Sequence, residues 1–190
     1  WLGKICENKG IDIFCGFSGS ELIYKNKKII GVRTGDRGVD KHGKPKSNFD
    51  LGVDIHAKVT VLGEGPRGNL SKTLIHSHDL MKDKNPQTWA IGVKELWQMP
   101  EGSVTPGYVA HTMGFPLGHD IFGGAFIYGM KKDILDIGIV VGLDYNDPTI
   151  DPHHELQLLK THPWIRSLLK DGKMIAYGAK SLPEGGYFSL

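Results

Sequence analysis

Cysteine is almost missing from this chain: Cys6 and Cys15 are the only two in 190 residues. Two thiols cannot build a metal or cluster site unaided, and a small disulfide scaffold needs more of them, so a reducing compartment is the plain reading. An excess of one charge is missing too. Lys and Arg number 23 against 21 Asp and Glu, and the signs are interspersed, which leaves no basic stripe for nucleic acid. No apolar run approaches the ~18 residues of a membrane-spanning helix. The chain does not open on methionine, and no targeting segment is expected at its start. The chain opens at Trp1 in what reads as the last turns of a helix, so it is expected to be a piece of a longer protein.

Catalytic constellations are equally scarce. The carboxylates are scattered without a pair suited to acid–base work. Ser71 and Ser103 are not in nucleophile-elbow contexts. His76 and His78 are two apart on a predicted helix, hence on different faces, and no metal site is expected.

Glycine is what the sequence has in plenty. Its 26 glycines are about twice the usual share of ~7%, so tight turns and close backbone approaches should be frequent. Apolar content of 39% against 23% charged is an ordinary globular balance.

Residues 11–14, 21–24 and 28–33 read as short strands, with a hairpin turn at Asn26-Lys27 between the second and third. "TGDRGVDKHGKPKSNFDLG" reads as a polar loop, and 53–62 as a strand whose end, "VTVL", is buried on both faces. A short helix follows from Leu70. Strands are predicted over 88–99, 108–113, 123–130, 134–143 and 173–179. Between the last two, Asp151 caps a helix that starts at Pro152, breaks at Pro163 and ends at Gly172. The order is α+β, without the regular alternation of a doubly wound domain.

Two glycine clusters stand out. Gly63-Glu64-Gly65-Pro66-Arg67-Gly68 has the G-x-G-x-x-G spacing of a pyrophosphate cradle. It follows several strands instead of opening a βαβ unit, and no strand ends in an acidic residue about 20 residues on. A first dinucleotide fingerprint is therefore disfavoured against a plain strand-to-helix turn. A third reading fits better: a second glycine motif, whose backbone approaches the nucleotide half of FAD at the end of a strand. The other cluster, Gly123-Gly124, sits among Phe122, Ala125, Phe126 and Ile127. Residues alone favour a β-bulge or strand crossing there, but the same step would let backbone reach the carbonyl of a flat apolar ligand. His111, in a strand beside it, reads as a hydrogen-bonded structural histidine ahead of a proton relay.

The stretches "AKVTVLGEGPRGNLSKTLI", "PQTWAIGVKELWQM", "PGYVAHTMGFPL", "FGGAFIYGM", "VVGLDYNDP" and "HPWIRSLLKDGKMIAYGAKSLPEGGY" together resemble the electron-transfer flavoprotein:ubiquinone oxidoreductase family, nearly end to end. The resemblance implies part of an FAD-binding domain (1–88), a β-rich ubiquinone-binding domain (89–172) and a segment returning towards the FAD domain (173–190). It implies FAD contacts at Gly63, Glu64 and Gly65, and ubiquinone contacts at Gly123 and Gly124. It also implies an iron–sulfur cluster whose ligands are absent from this sequence. The activity implied is electron transfer from reduced electron-transfer flavoprotein to ubiquinone, monotopically at the matrix face of the mitochondrial inner membrane, or at the bacterial inner membrane. The chain alone is expected to be inactive. The alternatives are a related FAD-dependent reductase or monooxygenase, and a non-catalytic remnant. Phe122 replaces a usual Tyr, and Pro66 a usual Cys. Pro66 also removes a backbone donor from the turn.

Overall fold

In the computed structural model, which describes residues 1–185, Asn26 and Lys27 take φ values of 50° and 64°. Two successive left-handed residues make the tight turn that matches the twist of a hairpin, so the predicted hairpin forms. The chain divides into two compact units, Trp1–Lys84 and the residues from Asn85 onward.

The first unit starts with a helix, α1 (Leu2–Asn8), followed by the hairpin strands β1 (Gly19–Lys25) and β2 (Lys28–Thr34). A second hairpin, β3 (Arg37–Val39) with β4 (Pro45–Asp50), occupies the segment expected to be loop. Its sequence carries no apolar alternation; an Arg37–Asp50 ion pair ties it together instead, and the Arg37 guanidinium lies over the Phe17 ring. β5 (Asp54–His56) completes a three-stranded sheet in the order β1-β2-β5, and Arg33 grips Asp54 through two hydrogen bonds of 2.6 and 3.0 Å. The unit ends in α2 (Leu70–Ser77).

Two predicted strands of this unit differ. Residues 11–14 are irregular, and the strand expected over 53–62 is regular only through β5. Val59 and Val61 are 77% and 87% exposed. A strand buried on both faces needs hydrogen-bonded neighbours, and no described strand pairs with 58–62.

The second unit is one antiparallel sheet with two helices on one face. Its strands are β6 (Thr88–Gln98), β7 (Val109–Thr112), β8 (Gly123–Lys131), β9 (Ile134–Gly142) and, after helices α3 (Pro152–Leu159) and α4 (Pro163–Leu168), β10 (Lys173–Glu184). Their order is β10-β6-β9-β8-β7. Alternate residues Leu135, Ile137, Ile139 and Val141 of β9 and Ala125 and Ile127 of β8 are buried with Leu156, Leu159, Ile165 and Leu169 from the helical segment. The Asp151 carboxylate accepts the His153 N–H at 2.9 Å, as an N-cap should, and Pro152 and Pro163 each sit at the start of a helix. The predicted helix break at Pro163 and all five predicted strands of this unit are present. Within the segment expected over 173–190, Lys173–Glu184 pairs along the whole of β6, from Lys173 opposite Gln98 to Glu184 opposite Thr88. Residues 186–190 of that expected segment lie outside the described residues.

One buried charge fastens α3 to the sheet. Glu95 on β6 is 3% exposed, and Lys160, at the end of α3, donates to both of its carboxylate oxygens at 2.8 Å. Trp97 Nε1 donates at 2.9 Å as well. Burial pushes the Glu95 carboxyl up, but the Lys160 and Trp97 hydrogen bonds outweigh it and hold the group below its ordinary range. Removing one partner of such a pair strands a buried charge. Lys160→Met should therefore destabilise the chain by about 3 kcal/mol, and adding Glu95→Gln should restore at least half of that. Urea unfolding of the two variants measures both; equal stability of Lys160→Met and the unmodified chain would show that water, not Lys160, neutralises Glu95.

Candidate functional site

The glycine turn of the first unit is organised by a side chain. Glu64 folds over the start of α2: one oxygen accepts the N–H groups of Asn69 and Leu70 at 3.1 and 3.0 Å, and the other accepts the N–H and Oγ of Ser71, both at 2.7 Å. Those N–H groups are the unpaired donors that every helix presents at its N-terminus, and that a bound phosphate would otherwise use. A carboxylate already fills the place. Gly68 explains itself in the same way, since a Cβ there would lie 2.8 Å from the Glu64 carboxylate and 2.9 Å from Ser71 Cβ. The helix start is thus closed to a pyrophosphate, which removes the first-fingerprint reading. Gly63 and Gly65 are different. No atom lies within 4 Å of where their Cβ atoms would stand, and Gly65 is left-handed at φ +78°. Their backbone is open to close approach.

In the second unit Gly123 and Gly124 begin β8. The β7 ladder ends with Thr112 opposite Ala125, so the pair lies just past that end, in register only with Val141 and Val140 of β9. A Cβ on Gly123 would stand 2.3 Å from the Val140 carbonyl oxygen and 2.7 Å from Leu117 Cδ1; one on Gly124 would stand 2.1 Å from the Thr112 carbonyl oxygen. The sheet itself therefore needs glycine at both positions, whatever else the pair does. The connection from β7 to β8 crosses here. It buries Leu117 and leaves Met113, Phe115 and Phe122 exposed, at 89%, 55% and 64%. His111 hydrogen-bonds Tyr128 across β7 and β8 at 2.9 Å, and Tyr128 stacks on Phe126. His111 thus makes the hydrogen bond expected of a structural histidine, on an exposed edge. No helix among the described residues is long and apolar enough to cross a membrane.

With this geometry in place, relatives can be weighed. Residues 89–182 match the family model described as ETF-QO, ubiquinone-binding, and so cover β6 to β10 almost completely. A probable electron transfer flavoprotein-ubiquinone oxidoreductase of Schizosaccharomyces pombe is 43% identical over the whole chain. The Homo sapiens protein of that name is 42% identical, again over the whole chain. The chain belongs to the electron transfer flavoprotein-ubiquinone oxidoreductase family. It spans 30% of the length of the first relative and 31% of the second, both of which are named as mitochondrial. Among solved structures, a geranylgeranyl bacteriochlorophyll reductase-like protein of Thermoplasma acidophilum superposes with a TM-score of 0.64 over 96% of this chain and 40% of its own, at 13% identity. A flavin-dependent brominase superposes with a TM-score of 0.62 over 96% and 42%, at 12% identity. These likenesses are of fold, and they bear out the α+β class.

Sequence reasoning missed the capping role of Glu64. A signal was available: a Glu in a glycine turn shortly before a helix whose own N-cap, Asn69, makes no side-chain cap. The hydrogen bonds from Ser71, then those from Asn69 and Leu70, hold the Glu64 carboxyl at about 2, below its ordinary 4.5. A lowered carboxyl pKa means stabilisation that is complete above about pH 4.5 and is lost as pH falls towards about 2. The protection factor of the Ser71 amide, the slowing of its exchange relative to an unstructured amide at the same pH, should therefore fall across that acid window in the unmodified chain, and should be low already at neutral pH in Glu64→Gln. An exchange rate that does not change in Glu64→Gln would mean that the carboxylate does not hold the helix start.

Proposed function

We propose that this chain is part of an electron-transferring flavoprotein dehydrogenase that passes electrons from reduced electron-transfer flavoprotein to ubiquinone. The observation that carries the proposal is 43% identity to such a protein across the whole chain. On this reading residues 1–88 belong to an FAD-binding domain, and 89–172, with β10, to the ubiquinone-binding domain. The change of compact unit after Lys84 and the family match from residue 89 support a boundary there.

The residues present fit the two groups. The open backbone at Gly63 and Gly65 suits contact with FAD, and Glu64 keeps the turn rigid by holding α2. A bound flavin supplies reversible one- and two-electron transfer. At the other site the Gly123-Gly124 backbone would meet a quinone carbonyl oxygen, and Leu117 and Ala125 offer apolar wall. Quinone takes up two electrons and two protons to become quinol, and this chain's part is to hold the ring where that exchange occurs. The exposed Met113, Phe115 and Phe122 on one connection support a monotopic seat on the mitochondrial inner membrane, matrix side, from which a lipid-soluble quinone could enter. Cys6 and Cys15 cannot supply the thiolates of an iron–sulfur cluster, so this sequence does not hold one.

Titrating a ubiquinone with a one-isoprene tail into the isotopically labelled chain tests the quinone site. The Gly123 and Gly124 amide resonances should shift saturably and ahead of those of β10. Shifts confined to other strands, or none at all, would refute the assignment.

A further inference from the structure

Two buried side-chain polar atoms have no hydrogen-bond partner among the described residues, Thr112 Oγ1 and Asp136 Oδ1. Asp136 is otherwise accounted for, because its second oxygen accepts from Lys94 at 2.8 Å. Thr112 is not. Its hydroxyl is its one polar side-chain group, and a buried hydroxyl without a partner carries a desolvation cost that folding does not recover. A valine would fill the same space without that cost.

The position of Thr112 supplies a reason for the hydroxyl. It is the last residue of β7, directly opposite Ala125, and its carbonyl oxygen is the atom that a Gly124 side chain would strike. Gly123 is two residues before Ala125 on β8, so Thr112 and Gly123 project from the same face of the sheet, as diagonal neighbours across the strand pair. That is the face on which Leu117 packs. We infer that Thr112 is a ligand-binding residue: its hydroxyl donates a hydrogen bond to a carbonyl oxygen of the quinone ring held at Gly123-Gly124. The inference rests on the quinone reading above and adds to it a side-chain donor beside a backbone contact. A hydroxyl suits the task. It donates to a neutral quinone carbonyl and can turn to accept from the quinol O–H after reduction, with no charge of its own to desolvate.

Thr112→Val removes the hydroxyl and keeps the shape, so stability and binding should move in opposite directions. The free chain should melt at a higher temperature, because an unpartnered buried group has been replaced by a methyl. Affinity for the one-isoprene ubiquinone, read from amide-shift titration, should fall about five- to tenfold, the worth of one hydrogen bond at tenfold per 1.4 kcal/mol. Thr112→Ser should bind like the unmodified chain. A lower melting temperature for Thr112→Val would show that the hydroxyl has a partner within the protein or its bound water, and would overturn the inference. So would unchanged quinone affinity at a raised melting temperature. Absence of binding by the unmodified chain would instead bring down the quinone reading, and the role of Thr112 with it.

Discussion

Everything in the second unit is referred to β9. Leu135, Ile137, Ile139 and Val141 present an unbroken apolar row to the helices, and β9 lies between β6 and β8 with both registers fixed along its length. Each fully buried branched side chain of this row contributes about 1.5–3 kcal/mol of transfer free energy. A slip of one residue would turn the whole row to the opposite face, so the register is strongly specified. That specification places Gly123 and Gly124 opposite Val141 and Val140, and through them sets where the connection carrying Leu117 crosses the sheet. The glycine pair is positioned by a hydrophobic constraint made on a neighbouring strand.

What the sequence revealed follows from which forces act locally. The strands of the second unit are rich in β-branched, aromatic and apolar residues, and its helices carry a cap and prolines, so both were legible. The β3–β4 hairpin was not, because its stabilising contacts are an ion pair and a cation over the Phe17 ring, which leave no periodic trace. The stretch 58–62 was read as a doubly buried strand from its composition. Composition reports what a segment would bury, and burial itself depends on neighbours that no described strand provides. Of the site, the glycines were legible as positions of close approach. Glu64 was read as a cofactor contact, but its capping of α2 was not legible, because the side chain acts by reaching along the chain; nor was the buried Thr112 hydroxyl, whose isolation is a property of packing.

The two glycine clusters look alike in sequence and work by different physics. Gly123 and Gly124 are glycine because neighbouring carbonyls occupy the space of a side chain. Gly63 and Gly65 have empty space around them, and there the missing side chain leaves backbone exposed. The first pair is therefore obligatory for the sheet before any ligand is considered, whereas the second has no packing reason, and at Gly65 the left-handed backbone itself favours glycine.

The turn from Gly63 to Gly68 can be divided further. Pro66 has no N–H, and the donors at Asn69, Leu70 and Ser71 are spent on Glu64, so the half of the motif next to the helix is satisfied within the protein. At Gly63 and Gly65 no atom lies within 4 Å of where a Cβ would stand, so the backbone there is open. The donors at the helix start are thus unavailable to a phosphate, and the Glu64 carboxylate, ionised at neutral pH, would repel an anion brought to them. The protein's own carboxylate thus stands where a helix-bound phosphate would, although the glycines keep the spacing of a pyrophosphate cradle.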